Sequence, residues 1–361
     1  MDITGDREID RRDFLRYGGL AAGAVVSGGL VGTWRDSSSR SAKQGTSGPG
    51  ANSRRLPGQG KIIGLAVNGD VPYTQYVATG VKEGLKGTAY QLRITQANFD
   101  VETQVTNIED MISIGVDGLV ILAVDDAAAN EGAARAAARG IAVGDTLWPG
   151  TAYPGQKAAD KNYVVAADVD SYRGGQLIGN WLKAHAKPGE MVVVEGILGQ
   201  GFSGVINKGL EHALAGTKFK IVVREQGDFS RATAISIVES ALAAHPDVTT
   251  IVDYAAAMGD GIASFLQSKG IKHITHVTSD GDLEMMHKWL GTPYLAADRY
   301  YSAAETGLVA TLGVRERIET GHKGPFIRPI FQAMATKQNI GKIFAAHPFV
   351  YQQYLRQVAA L

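Results

Sequence analysis

The chain has 361 residues, 36 basic and 36 acidic side chains, and no cysteine. Balanced charge gives no electrostatic footprint for nucleic acid or an anionic membrane. The missing cysteines exclude a disulfide framework, a thiolate metal site and a thioether-linked lipid anchor, and they suit an exported chain that avoids mispaired disulfides.

The N-terminus reads as an address. Arg11 and Arg12 stand together, Phe14-Leu15 follows, and the apolar run Gly18–Val31 spans about 14 residues without a charge. That is short of the roughly 20 apolar residues a spanning helix needs. Arg11-Arg12-Asp13-Phe14-Leu15-Arg16 matches the twin-arginine export pattern, whose route carries folded cargo. Residues 1–34 are therefore expected to be a twin-arginine signal. Residues 35–60, rich in Ser, Gly and Pro, bury too little apolar surface to fold and are expected to be a linker.

From Lys61 short apolar runs alternate with amphipathic stretches. "KIIGLAV" predicts a buried strand, "YVATGVKEGLKG" a helix with Val77, Val81 and Leu85 on one face, and "YQLRITQ" a strand. "VETQVTNIEDMISIG" is a helix, "GLVILAV" a strand, "AANEGAARAAARG" a helix and "IAVGDTL" a strand. Such alternation implies right-handed crossovers and parallel sheets covered on both faces. Residues 191–270 repeat the pattern at an offset of 130: Phe99 maps on Phe229, Asp117 on Asp247 and Gly140 on Gly270. A gapless offset indicates two homologous lobes with a cleft between them. Ligands of open parallel sheets bind at the carboxyl ends of the strands. The cleft loops are then 68–76, 125–126, 145–150, 199–204, 227–231, 253–260 and 279–286.

The stretches "VPYTQYVATGVKEGL", "GVDGLVILAVDD", "ADVDSYRGGQLIGNWL", "ALAAHPDVTTIV" and "HVTSDGD" resemble the periplasmic sugar-binding proteins of the ribose-binding type, the substrate-binding components of ABC transporters. The resemblance runs from about Lys61 past Asn339, where "ATKQN" matches the closing strand. It implies an α/β fold of periplasmic binding protein-like type 1: two similar lobes, each a parallel sheet flanked by helices, joined by a hinge of three crossovers near 165–169, 298–302 and 328–332. The expected partition is 61–166 plus 301–330 for the N-terminal lobe and 167–300 plus 331–361 for the C-terminal lobe. The implied partners are a small-molecule ligand (a sugar, modified sugar or polyol), an ABC transporter permease and the twin-arginine translocase. The location is periplasmic or extracytoplasmic. A monomer is expected, with no cofactor and no catalytic residues.

The chain departs from that pattern where ribose-type proteins grip hydroxyls. Leu122 stands at an often polar position. Leu147-Trp148 replaces an Asp-Arg pair, Gly204 an arginine, and Ala255-Ala256 an Asn-Asp pair, while Asp280 survives. Sugar sites combine aromatic faces with carboxylates and amides. The expected ligand-binding residues are Asn68, Tyr73, Asp145, Trp148, Phe202, Arg231, Tyr254, Asp280 and Tyr301, with Trp148 stacking on the ligand. A different reading rests on Gly199–Gly204, "GQGFSG". It has Gly-x-Gly-x-x-Gly spacing after a strand, with Glu225 following 21 residues later, as in a dinucleotide fingerprint. This would be an exported NAD-dependent oxidoreductase. Its weakness is that the first copy of the repeat lacks such glycines. A sugar-responsive repressor is excluded because residues 1–60 hold an export signal and no helix-turn-helix.

Overall fold

The computed structural model describes residues 57–148, 160–322, 324 and 326–346. The export-motif residues Arg11, Arg12, Phe14 and Leu15, and almost all of the expected linker, lie outside them. In chain order the elements are β1 (Ile62–Val67), α1 (Pro72–Gly84), β2 (Gln91–Gln96), α2 (Val101–Ser113), β3 (Gly118–Ile121), α3 (Asp126–Ala138), β4 (Ala142–Trp148) and β5 (Val165–Asp168). There follow α4 (Ser171–His185), β6 (Glu190–Glu195), α5 (Phe202–Leu214), β7 (Lys220–Gln226), α6 (Arg231–Ala244), β8 (Val248–Asp253) and α7 (Ala256–Ser268). The last are β9 (Thr275–Ser279), α8 (Leu283–Trp289), β10 (Ala297–Tyr301), α9 (Ala303–Thr320), β11 (Ile327–Pro329), β12 (Gln332–Ala335) and α10 (Ile340–Ala346).

They build two six-stranded sheets, ordered β2-β1-β3-β4-β5-β11 and β7-β6-β8-β9-β10-β12. Every pairing is parallel except β10 with β12. The near-continuous apolar strands follow from burial on both faces. In β1, Ile63, Leu65 and Val67 pack with Val77 and Val81 of α1, while Ala66 faces Ile108 and Met111 of α2. In β6, Met191 and Val193 meet Ile206 and Leu210 of α5, while Val192 and Val194 meet Ile237 and Ile262 of α6 and α7. Alternate side chains of one strand thus belong to different cores.

The duplication is visible in the backbone. Asn98 and Phe99 adopt φ of 50° and 60°, and Asp228 and Phe229 adopt 56° and 54°. Two consecutive non-glycine residues in the left-handed region are uncommon, so their recurrence at the same offset carries weight. Each turn ends in an N-cap: Asp100 accepts from Thr103 N at 2.7 Å, Ser230 from Thr233 N at 3.2 Å. In each lobe a helix pair packs through glycines on both of its helices. A Cβ on Gly80 of α1 would overlap the carbonyl of Ala304, and one on Gly307 of α9 that of Val77. In the second lobe Gly175 of α4 meets the Ile206 carbonyl and Gly209 of α5 the Tyr172 carbonyl.

Among the described residues the chain changes sheets three times: between β5 and α4, between β10 and α9, and between β11 and β12. Arg299 of β10, 2 % exposed, ties these segments together. Its Nε and Nη2 donate to Gln332 Oε1 at 3.0 and 2.9 Å, and Nη2 also donates to Val169 O at 2.9 Å. Gln332 Nε2 in turn donates to Val169 O and Asp170 O. The closing strand is Gln332–Ala335, earlier than the expected "ATKQN". Thr336 and Asn339 instead form a turn closed by Asn339 Oδ1 accepting from Thr336 N at 2.7 Å, which leads into α10.

Candidate functional site

A cavity of about 320 Å³ lies between the two sheets, at the carboxyl ends of their strands. The first sheet's side contributes Asn68 just after β1, Pro72, Tyr73 and Tyr76 at the start of α1, Phe99 and Leu147. The other side contributes Gln200, Phe202, Phe229, Arg231, Tyr254–Ala257, Asp260, Asp280, Asp282, Glu284 and Lys288, and Tyr301 stands next to the second crossover. Aromatic faces dominate. Phe99 and Phe229, the duplicated pair, meet across the cleft at 5.8 Å; Phe202 stacks on Phe229 at 6.1 Å; Tyr73 meets Tyr301 edge-on at 6.2 Å.

The polar groups divide into engaged and free. Tyr254 turns its hydroxyl away and donates to Asn207 Oδ1 at 2.5 Å, so the cavity sees its ring. Arg231 pairs with Asp260 and donates to Ser264 Oγ at 2.6 Å. Lys288 Nζ binds the same Asp260 at 2.9 Å. Asp282 caps α8, accepting from Met285 N at 2.7 Å. Asn68, 5 % exposed, donates through Nδ2 to Ala123 O at 3.4 Å, and its Oδ1 has no hydrogen-bond partner among the described residues. Tyr73 Oη lies near Tyr301 and Thr306 without a well-formed hydrogen bond.

Asp280 has the most distinctive environment. Its φ of 94° is a left-handed conformation rare outside glycine. Oδ1 accepts from Tyr301 Oη at 2.9 Å. Burial pushes the carboxyl up to about 7, and the Tyr301 donor and the Arg299 guanidinium only partly offset it.

Seven of the nine expected residues line this one cavity: Asn68, Tyr73, Phe202, Arg231, Tyr254, Asp280 and Tyr301. Trp148 and Asp145 do not. A register shift between Asp145 and Trp148 brings Leu147 to the cavity and turns Trp148 to the opposite face. Fully buried, Trp148 packs edge-on against Tyr163 at 5.9 Å and Phe326 at 5.2 Å, which corrects the expectation that it stacks on ligand. Asp145 is half-buried and accepts from Leu147 N at 2.7 Å; burial raises its carboxyl to about 7. Of the departures from the ribose pattern, Leu122 is buried in the core, Gly204 faces open space, and Leu147, Ala255 and Ala256 line the cavity. The sequence reading missed Tyr76, Gln200, Asp260 and Lys288, and it had Phe99 only as a landmark of the repeat. The matched offset of Phe99 and Phe229 was the available signal.

The glycine loop does not suit a dinucleotide. Residues Leu198–Gln200 form a 3-10 turn laid against the other lobe. A Cβ on Gly199 would lie 2.6 Å from Asp125 Oδ2, and Gln200 Nε2 donates to Ala123 O at 2.9 Å. A carboxylate and the first sheet's loop therefore occupy the space a pyrophosphate would need.

The family model described as a periplasmic binding protein domain matches residues 63–308. The ribose import binding protein RbsB of Bacillus subtilis is 25 % identical over 227 residues, covering 62 % of this chain and 71 % of that protein. RbsB of Escherichia coli is 24 % identical over 212 residues, covering 58 % and 69 %. Among solved structures, an ABC transporter solute-binding protein from Burkholderia graminis in complex with D-arabinose superposes with a TM-score of 0.70 at 22 % identity, covering 78 % of this chain and 97 % of that one. One from Bacillus halodurans with bound myo-inositol gives 0.68 at 17 % identity, covering 80 % and 99 %. With the family model spanning most of the chain and both sheets in the matching order, this chain belongs to the periplasmic binding protein family and has its two-lobed type 1 fold.

Proposed function

We propose that the chain is an exported solute-binding protein that captures a small carbohydrate-like ligand between its lobes and delivers it to an ABC transporter permease. The observation carrying this reading is the cavity itself. It lies at the strand ends of two sheets and is walled by aromatic rings, with Asn68 Oδ1 and Asp280 as acceptors. The sugar-binding relatives support the ligand class. Binding is followed by hinge closure and release of the ligand unchanged. The site residues proposed are Asn68, Tyr73, Phe202, Arg231, Tyr254, Asp280 and Tyr301, with Phe99, Phe229 and Gln200 added by the geometry. Export by the twin-arginine route places the protein outside the cytoplasm.

A thermal-shift screen of the folded protein against sugars, polyols and cyclitols tests the reading. Ligand at 100 times its dissociation constant adds roughly 2.7 kcal/mol of stability. A clear rise in melting temperature with chemically unchanged ligand supports a binding role, whereas turnover of the ligand would replace it with an enzyme. Changing Arg11 and Arg12 together to lysine should leave folded protein in the cytoplasm; unimpaired export would remove the twin-arginine route.

A further inference from the structure

The cavity's free polar groups are mostly acceptors, and its cations are already engaged. Arg231 and Lys288 both pair with Asp260, and the acidic side chains Asp280, Asp282 and Glu284 of the same cavity outnumber the one positive charge left over. What remains is the Asp280 carboxylate, whose side-chain donor is Tyr301, and Asn68 Oδ1, buried and without a partner. Tyr73 Oη stands near Asp280 with acceptor capacity of its own. Asp282 and Glu284 add negative charge at the same wall. Arg299 lies close by, with its guanidinium 5.0 Å from the Tyr301 ring centre, but its donors go to Gln332 and Val169. Around Asp280 the surfaces are the rings of Tyr73 and Tyr301. Free acceptors, a carboxylate whose charge Tyr301 and Arg299 offset only in part, and aromatic faces together match an ammonium group, which has three donors and no acceptor and is attracted to aromatic faces.

We infer that the ligand of this cleft is an amine-bearing sugar or cyclitol, held with its ammonium group on Asp280 beside Tyr73 and its ring against the aromatic walls. The inference rests on the proposed carbohydrate-binding function and narrows it. A neutral sugar of the ribose type needs donors for its ring and hydroxyl oxygens, and the loops that would supply them carry Leu147 and Ala255. At Asp280 an ammonium group presents donors only and leaves no oxygen to satisfy there, while the remaining oxygens meet the same walls as a neutral sugar's; its charge strengthens the bond to a half-buried carboxylate.

Isothermal titration of the purified chain at about pH 7.5 and low salt decides the matter with matched probes: galactosamine, galactose and N-acetylgalactosamine, and an aminodeoxy-inositol with myo-inositol. In at least one series the amine should bind about tenfold or more tightly than its hydroxyl counterpart. N-acetylation should remove the gain, and Asp280→Asn, which keeps the size and the acceptor for Tyr301, should level the pair. Neutral members that bind as well as the amines overturn the ammonium assignment and leave the solute-binding function standing. A preference for the amine that survives Asp280→Asn also overturns it. No binding by any of the five counts against both.

Discussion

Asp280 concentrates the cleft's chemistry in one side chain. Its left-handed backbone is held by Asp280 N donating to Arg299 O, and by Gly281 N donating to Asp298 Oδ1 at 3.1 Å. Such strain persists where the surroundings over-determine it. Asp280→Ala should weaken binding of whichever ligand the screen finds by about 1.5–3 kcal/mol, the range for a hydrogen bond to a charged group, read by isothermal titration. Unchanged affinity would mean the ligand sits elsewhere. Trp148 provides the complementary test. Because it belongs to the first lobe's core, Trp148→Ala should cost about 3–5 kcal/mol of stability, while the milder Trp148→Phe should leave ligand affinity unchanged. A selective loss of affinity in Trp148→Phe would restore the stacking role.

At the scale of elements, two kinds of contact hold the lobes in shape. The glycine-mediated helix pairs permit backbone approach that a methyl group would block. Gly80→Ala and Gly209→Ala should each destabilise by about 1–3 kcal/mol, as overpacking does. Gly204→Ala should be neutral or stabilise by up to about 1 kcal/mol, since a Cβ there meets nothing within 4 Å and alanine favours the helix. Chemical denaturation separates the three; equal effects would show that helix propensity, not packing, governs. The hinge clamp is the second contact. Arg299→Ala leaves Gln332 Oε1 without a donor, a buried loss costing about 1–3 kcal/mol, and takes one of two donors from Val169 O, which keeps Gln332 Nε2. It should also change the proposed closure on ligand, which solution scattering would read as a fall in radius of gyration. Gly174 belongs to the same device, since a Cβ there would run into the Arg299 guanidinium.

For the whole molecule, the buried carboxyls set the pH response. Burial raises Asp145, Asp280 and Glu305 to about 7, and holds Asp298 well above the usual carboxylate range. Asp168 and Asp282 are raised as well, while exposed Asp100 is lowered by Thr103. The titratable and charged groups facing Asp280 are Tyr301, Arg299, Asp253, Asp298 and Tyr73. A raised carboxyl keeps its proton in the folded state after the unfolded chain has lost it. Stability should therefore fall as pH rises from about 4 to about 7, and level off above that. A melting temperature measured without ligand should be higher at about pH 5.5 than at about pH 8. The opposite slope would mean that these carboxyls ionise freely in the fold.

Strand periodicity, helix faces and the 130-residue offset were legible in the chain because they depend on local pattern: buried strands read as apolar runs, and a duplicated lobe repeats its turns, as Phe99 and Phe229 show. The loops after the strands were legible too, and with them Asn68, Tyr73, Phe202, Arg231, Tyr254, Asp280 and Tyr301. The direction in which each side chain points was not. One shift of register in β4 exchanges Leu147 for Trp148 at the cavity, and strand alternation sends neighbours to opposite faces, so a loop's composition does not say which residue it presents. Nor could sequence pattern show that Arg231 and Lys288 share Asp260, or that Arg299 on β10 would reach Val169 and Gln332. Those meetings join residues far apart in the chain, and only the packing of two lobes about a common hinge decides them.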